Sequence, residues 1–107
     1  MFEDLWEVKI SKRCLEIFDP QGSIRSIGLD QITGIAIRTD NTGPIGSDVI
    51  WLISDGESII SFPMGAKGED KVLKAFQKID GFDNSEFIKA MGSVDHNLFF
   101  LLNKVKE

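Results

Sequence analysis

Residues Asp48–Asn84 read DVIWLISDGESIISFPMGAKGEDKVLKAFQKIDGFDN, and this stretch carries the clearest signals of the fold. Two largely apolar runs, Val49–Ser54 and Glu57–Phe62, flank the dipeptide Asp55-Gly56. Asp-Gly between two such runs favours a type I′ hairpin turn, in which both central residues need φ > 0. An apolar run without alternation is typical of a strand covered on both faces. The sequence therefore predicts a β-hairpin in the middle of a sheet.

Two helices are predicted after this hairpin. Pro63 ends the second strand because it lacks a backbone N–H. Over residues 69–80, apolar residues recur at spacings of three and four and form one stripe, while lysines occupy the other side. For residues 84–91, Asp83 is the expected N-cap, and Glu86 three residues later is typical of a capping box.

The other segments are predicted as strands joined by short turns, apart from a long polar loop over residues 40–47. Short connections join antiparallel neighbours, and strands followed by helices indicate an α+β fold. We therefore predict one domain over residues 1–107: a single curved antiparallel sheet of about six to seven strands, two helices packed against it, and a final C-terminal strand. The predicted strands cover residues 5–10, 13–18, 23–27, 32–38, 49–54, 57–62 and 98–102.

Composition limits the classes of function. The chain has 107 residues, of which 42% are hydrophobic, so one domain can bury a real core. A single cysteine rules out an intrachain disulfide, an acidic N-terminus is unlike a signal peptide, and no apolar run is long enough to span a membrane. We expect a cytoplasmic protein that does not bind membranes. The net charge of −5 argues against nucleic-acid binding and suits a partner with a basic surface, although it also simply favours solubility.

Acidic residues are predicted to gather at one end of the sheet. If the strands run alternately up and down, the N-terminus, the turn at residue 19 and the loop at residues 40–48 share that end. Asp is also common in turns for local hydrogen-bonding reasons, and this alternative stays open. The predicted partner-binding residues are Glu3, Asp4, Asp19, Asp40 and Asp48.

No catalytic, cofactor or metal site is predicted. His96 is the single histidine, and Cys14 lies within a strand, where cysteine packs as a small hydrophobic residue. One histidine and one cysteine do not make a typical structural zinc site. The glycines at 65 and 68 lack the spacing of a phosphate-binding loop and predict a strand-to-helix turn instead. An enzyme whose scattered carboxylates meet in space remains an alternative.

The second half of the chain resembles a group of small bacterial proteins. The resemblance rests on Trp51-Leu52-Ile53, Phe62–Glu69 (FPMGAKGE), Gly81–Asn84 (GFDN), the pairs Asp55-Gly56 and Ala90-Met91, and the aromatic-rich Leu98-Phe99-Phe100. Many members of this group are immunity proteins of bacterial toxin systems, including contact-dependent growth inhibition. The matched motifs are turns, a cap and core positions, so they carry no binding residues across.

The resemblance implies a protein without catalytic activity that binds a cognate toxin domain and blocks it. A basic nuclease is the partner that the acidic composition would suit. The alternative reading is a non-catalytic adaptor or scaffold domain similar to a pleckstrin-homology domain, from which the predicted strand after the helices departs.

Overall fold

The computed structural model describes residues 5–43, 46–92 and 97–104, with the backbone alone for residues 40–43 and 46–48. Within this part of the chain, seven strands and two α-helices follow one another, and a 3-10 turn at Leu29–Gln31 separates the third strand from the fourth. The elements are β1 Glu7–Ser11, β2 Cys14–Phe18, β3 Ile24–Gly28, β4 Gly34–Gly43, β5 Gly46–Ser54, β6 Ile59–Pro63, α1 Glu69–Gln77, α2 Asn84–Met91 and β7 Asn97–Asn103.

The strands form two antiparallel sheets, where the sequence analysis predicted one. The first has the order β1-β2-β3, and the second has the order β6-β5-β4-β7. The 3-10 turn takes the chain from one sheet to the other, so β3 does not pair with β4. The predicted α+β class, with two helices and a C-terminal strand in the sheet, is confirmed.

The hairpin β5-β6 forms as predicted, but its position and turn differ. The strand β5 lies inside the four-stranded sheet, whereas β6 is an edge strand. The connection is a four-residue loop in which only Gly56 has φ > 0. The Asp55 carboxylate accepts hydrogen bonds from the backbone N–H groups of Glu57 and Ser58, at 2.9 and 2.8 Å, and so holds a wider loop than a type I′ turn.

The segment predicted as a long polar loop is instead the end of a long hairpin. The strand β4 continues to Gly43 and β5 begins at Gly46, with an irregularity in the register between Asp40 and Gly43. The turn-forming composition of this segment is overridden because continued pairing satisfies the backbone N–H and C=O groups of both strands.

One hydrophobic core lies between the two sheets and the helices. Trp51 is at its centre, with ring centroids 5.9 Å from Phe62, 5.6 Å from Phe76 and 5.9 Å from Phe87. These contacts join β5 to β6, α1 and α2. The core also includes buried residues of both sheets and both helices, among them Val8, Leu15, Ile17, Ile35, Ile37, Ile53, Val72 and Ala90.

The helices begin where their start signals predict. The helix α2 spans Asn84–Met91, and the Asp83 carboxylate caps it by accepting a 3.1 Å hydrogen bond from the Glu86 N–H. The helix α1 begins at Glu69 but ends at Gln77, three residues before the predicted end. The turn before α1 uses glycines with positive φ, 95° at Gly65 and 89° at Gly68, as predicted.

Candidate functional site

Of the acidic residues predicted to share one end of the sheet, the structure describes three, and they belong to two different sheets. Asp19 lies in the β2-β3 turn of the three-stranded sheet, where its carboxylate accepts hydrogen bonds from the N–H groups of Gln21 and Ser23 at 2.9 and 3.0 Å. This is the local turn-forming role of Asp. Asp40 and Asp48 belong to the four-stranded sheet, while Glu3 and Asp4 lie outside the described residues.

The structure brings two of the predicted residues together. Asp40 and Asp48 are directly opposite each other in the β4-β5 ladder. Directly opposite residues of an antiparallel pair have Cβ atoms about 4.5–5.5 Å apart, and two like charges at such positions destabilise the pair. The ladder therefore places two acidic residues next to each other at this point of the sheet.

One face of the four-stranded sheet lacks a covering element among the described residues. The cross-strand register aligns Ser61, Leu52, Ala36 and Phe100 in one row. The next row along aligns Ile50, Arg38 and Leu98. Successive side chains of a strand point to opposite faces, so both rows lie on the same face. We call this surface, together with Ile59 on β6, the outer face.

The opposite face of the same sheet carries the core. Trp51 and Ile53 alternate with the outer-face residues of β5, and both are buried. The aromatic contacts of Trp51 with Phe76 and Phe87 place α1 and α2 on this inner side. The helices therefore leave the outer face available.

The outer face is unusually apolar for a surface exposed to solvent. Ile59 is 65% exposed, Phe100 58% and Leu98 48%, while Ile50 and Leu52 are half-buried between them. A sheet with one solvated side normally alternates apolar residues inside with polar residues outside. Exposed apolar residues that adjoin one another mark interaction sites more often than scattered ones do. Arg38 is the charged residue of this surface, and its side chain is exposed.

Sequence reasoning missed this surface. The apolar run of β5 predicts a strand covered on both faces, and the predicted strand at residues 98–102 carries no signal of an exposed side. Among the described residues, the helices cover one side of the sheet, and Leu98 and Phe100 are exposed on the other. The same apolar composition serves a buried face and an interaction face, so pairing and helix placement are needed to tell them apart.

The described residues bring together little catalytic chemistry. No group of three or more His, Cys, Asp or Glu residues that could hold a metal ion occurs in the described ranges. Cys14 is half-buried with a free thiol, and His96 lies outside these ranges. Two surface cavities, of about 260 and 510 Å³, are each lined by one carboxylate, Asp19 and Asp30 respectively. A pair of carboxylates for general acid–base catalysis is not assembled in either cavity.

Comparison of the chain with protein-family models, curated protein sequences and solved structures finds no match. Among the described residues, neither helix is long and apolar enough to cross a membrane. The class that the structure defines is a small α+β domain in which the described residues leave one apolar sheet face exposed.

Proposed function

We propose that this protein is a non-catalytic binding protein that docks a cognate toxin domain on the outer face and thereby neutralises it. The observation that carries the proposal is the apolar outer face itself, with Phe100 and Leu98 about half exposed on β7 and Leu52 and Ile50 half-buried on β5. Burial of such residues by a partner is favourable because it removes apolar surface from water.

The outer face has the composition of an interface centre. Aromatic residues and arginine carry much of the binding energy at protein interfaces, particularly when less critical residues around them exclude water. Phe100 and Arg38 lie in adjacent rows of the face, and Leu98 shares the row of Arg38. We expect Phe100 to be the main apolar anchor, and we expect the Arg38 guanidinium to bind a polar or acidic group of the partner.

Charge supports a basic partner. The β4-β5 ladder continues from the outer-face row of Arg38 and Ile50 to Asp40 and Asp48, so this acidic pair follows the outer face along the strands and forms its border. A chain of net charge −5 attracts a basic domain at long range, and opposite potentials accelerate association. A nuclease whose basic groove is covered by this border is the toxin class that the charge suits.

The test is co-expression with the product of the gene immediately upstream. We expect that product to be toxic alone, to be harmless with this protein, and to co-purify with it. Replacing Leu98→Ser together with Phe100→Ser should abolish both protection and co-purification. The control is Ile88→Ser, which removes an even more exposed apolar side chain (69%) from α2. Protection that survives the double replacement would contradict the assignment of the outer face.

The second candidate is an adaptor that uses the same face for a harmless partner. The observation that favours it is again the outer face, since an apolar surface does not specify the activity of what it binds. The same co-expression experiment separates the two functions. A partner that binds the outer face but has no effect on growth would support the adaptor and end the immunity proposal.

A further inference from the structure

A groove on another part of the surface is strongly basic, although the chain as a whole is acidic. This cavity of about 510 Å³ lies between the β1-β2 turn, the 3-10 turn, α1 and the residue that follows β7. Asp30 is the one acidic residue in its lining. Five of the 12 basic residues of the chain line it, namely Arg13, Lys71, Lys74, Lys78 and Lys104.

The charge of the groove is not neutralised by its surroundings. None of the five basic side chains makes an ion pair with another described residue; the described ion pair involves Lys89 and Glu86 on α2. All five are exposed. Like charges that lie close together raise the free energy of the protein unless an anion neutralises them. An anionic ligand would therefore gain several charge contacts at once.

The shape of the groove comes from fixed backbone. Lys71 and Lys74 lie on α1 and Lys78 is its C-cap residue, so the three lysines form a row of roughly 10 Å at 1.5 Å per residue. On the opposite side, the Leu29 N–H donates a 2.9 Å hydrogen bond to the Arg13 carbonyl and holds the β1-β2 turn against the 3-10 turn. The lysines thus form a row along one side of the groove.

The floor between the basic residues is aliphatic. It consists of Ile10, Leu29, Ala75 and Ile79, all of which are half-buried. Proteins that hold single-stranded nucleic acid stack the bases on aromatic side chains, and the lining contains no aromatic residue. An aliphatic floor with a cationic rim instead matches a ligand that combines aliphatic and carboxylate groups.

We propose that this groove binds an acidic peptide segment of a partner protein, in which aliphatic side chains alternate with Asp or Glu. In an extended segment, alternate side chains lie about 6.6–6.8 Å apart on each face. The aliphatic residues would rest on the floor while the carboxylates pair with the lysine row and with Arg13 and Lys104. The groove shares no residue with the outer face, so this interaction stands apart from the proposed toxin binding.

The test measures binding of a fluorescein-labelled peptide of alternating Glu and Leu by fluorescence anisotropy at low salt. We expect saturable binding that weakens at high salt, because exposed charge pairs are screened. Replacing Lys74→Glu should weaken binding by at least about fivefold. Lys67→Glu is the matched control, since it changes the net charge identically but lies outside the groove. Lys78→Glu repeats the test at the C-cap of α1.

Three results would overturn the proposal. The first is equal weakening of binding by Lys74→Glu and Lys67→Glu, which would show that overall charge attracts the peptide and that the groove does not bind it. The second is equal affinity for a peptide of alternating Glu and Ser, which would remove the role of the aliphatic floor. The third is displacement of the Glu-Leu peptide by an oligothymidylate or by phosphatidylserine vesicles at lower concentration than by unlabelled peptide. That result would assign the groove to nucleic acid or to an anionic membrane surface.

Discussion

At the residue scale, Gly68 is required by both its conformation and its neighbours. Its φ of 89° is one that residues with a Cβ rarely adopt, and an added Cβ would overlap the backbone carbonyl oxygen of Val8. Gly68→Ala should therefore lower the free energy of unfolding by more than the roughly 1–2 kcal/mol of the left-handed conformation alone. The measurement is urea unfolding followed by tryptophan fluorescence.

Gly22→Ala is the control for this prediction. Gly22 has a similar φ of 93°, but an added Cβ would have no atom within 4 Å. Gly22→Ala should therefore lower the free energy of unfolding only by the cost of the left-handed conformation. Equal losses of unfolding free energy in Gly68→Ala and Gly22→Ala would mean that the backbone shifts to remove the overlap with Val8 at no cost.

Asp55 is predicted to titrate below its ordinary pKa. Hydrogen bonds from the backbone N–H groups of Ser58 and Glu57 favour the carboxylate and lower the pKa of Asp55 from its usual 3.8. The lowered pKa means that the bonds stabilise the fold above pH 3.8 and that this contribution is lost as the pH falls through the folded-state pKa. The carboxyl carbon of Asp55 should show an NMR titration midpoint below 3.8.

The stability of Asp55 variants tests the same two hydrogen bonds of the β5-β6 loop. Asp55→Ala should be less stable than the parent protein at neutral pH, and the difference should narrow in strong acid. Asp55→Asn retains an oxygen acceptor without a charge, so its free energy of unfolding should depend less on pH. A midpoint at or above the ordinary value would contradict the role of the two backbone hydrogen bonds.

At the scale of elements, Glu69 connects α1 to the four-stranded sheet. One of its carboxylate oxygens accepts a 2.7 Å hydrogen bond from the indole N–H of Trp51, and the other accepts a 3.2 Å bond from the Gly65 N–H. Trp51 is only 1% exposed, so water cannot easily replace the carboxylate. Glu69→Ala should cost about 1–3 kcal/mol of unfolding free energy because it leaves a buried donor unpaired.

Asp70→Ala is the matched control for Glu69→Ala. Both residues are acids in the first turn of α1, where a negative charge contributes about 0.3–1 kcal/mol through the helix dipole. Only Glu69 bonds to Trp51. Similar losses of unfolding free energy in the two variants would show that the dipole, and not the link to the sheet, accounts for the effect.

Local signals predicted the elements well. The residues that cap α2, Asp83 and Glu86, are three positions apart in sequence and bond directly to each other in the structure. The apolar stripe of α1 and the glycines of the turn before it are also local signals. Their interactions involve neighbours along the chain, so the sequence contains most of the information needed.

The elements that sequence reasoning misjudged depend on distant partners. The turn-rich segment at residues 40–47 extends the strands because each side pairs with the other, and a pattern along one segment does not report that pairing. The only two-residue hairpin loop with positive φ at both positions in the described chain is Lys12-Arg13, at 51° and 64°, where neither residue type signals such a turn. The division into two sheets likewise follows from which strands meet.

At the scale of the whole molecule, the candidate site combines one predicted feature with one that was not predicted. The sequence predicts Asp40 and Asp48 near each other as residues of a polar loop. In the structure they are neighbours because they pair across the β4-β5 ladder. The outer face could not be predicted because it is defined by what the helices leave uncovered. Exposure is a property of the assembled fold, whereas the apolar pattern is a property of each strand.

Reversing the acidic pair should slow association with the toxin domain. Asp40→Lys with Asp48→Lys retains the like-charge pairing across the strands, so we expect the fold to be preserved, while the association rate falls about tenfold at low salt. Stopped-flow mixing measures this rate. Glu57→Lys with Asp80→Lys changes the net charge equally at exposed positions away from the pair. An equal decrease in this control would assign the effect to overall charge.

The central claim is that the outer face of the four-stranded sheet binds the partner. Its most direct test is the affinity of the purified protein for the upstream gene product, measured by isothermal calorimetry for Leu98→Ser with Phe100→Ser and for Ile88→Ser. We expect a loss of at least about 100-fold in affinity for the double variant, as for two hot-spot side chains, and nearly unchanged affinity for Ile88→Ser. Unchanged affinity in the double variant, with its fold intact by circular dichroism, would show that the partner does not bind the outer face.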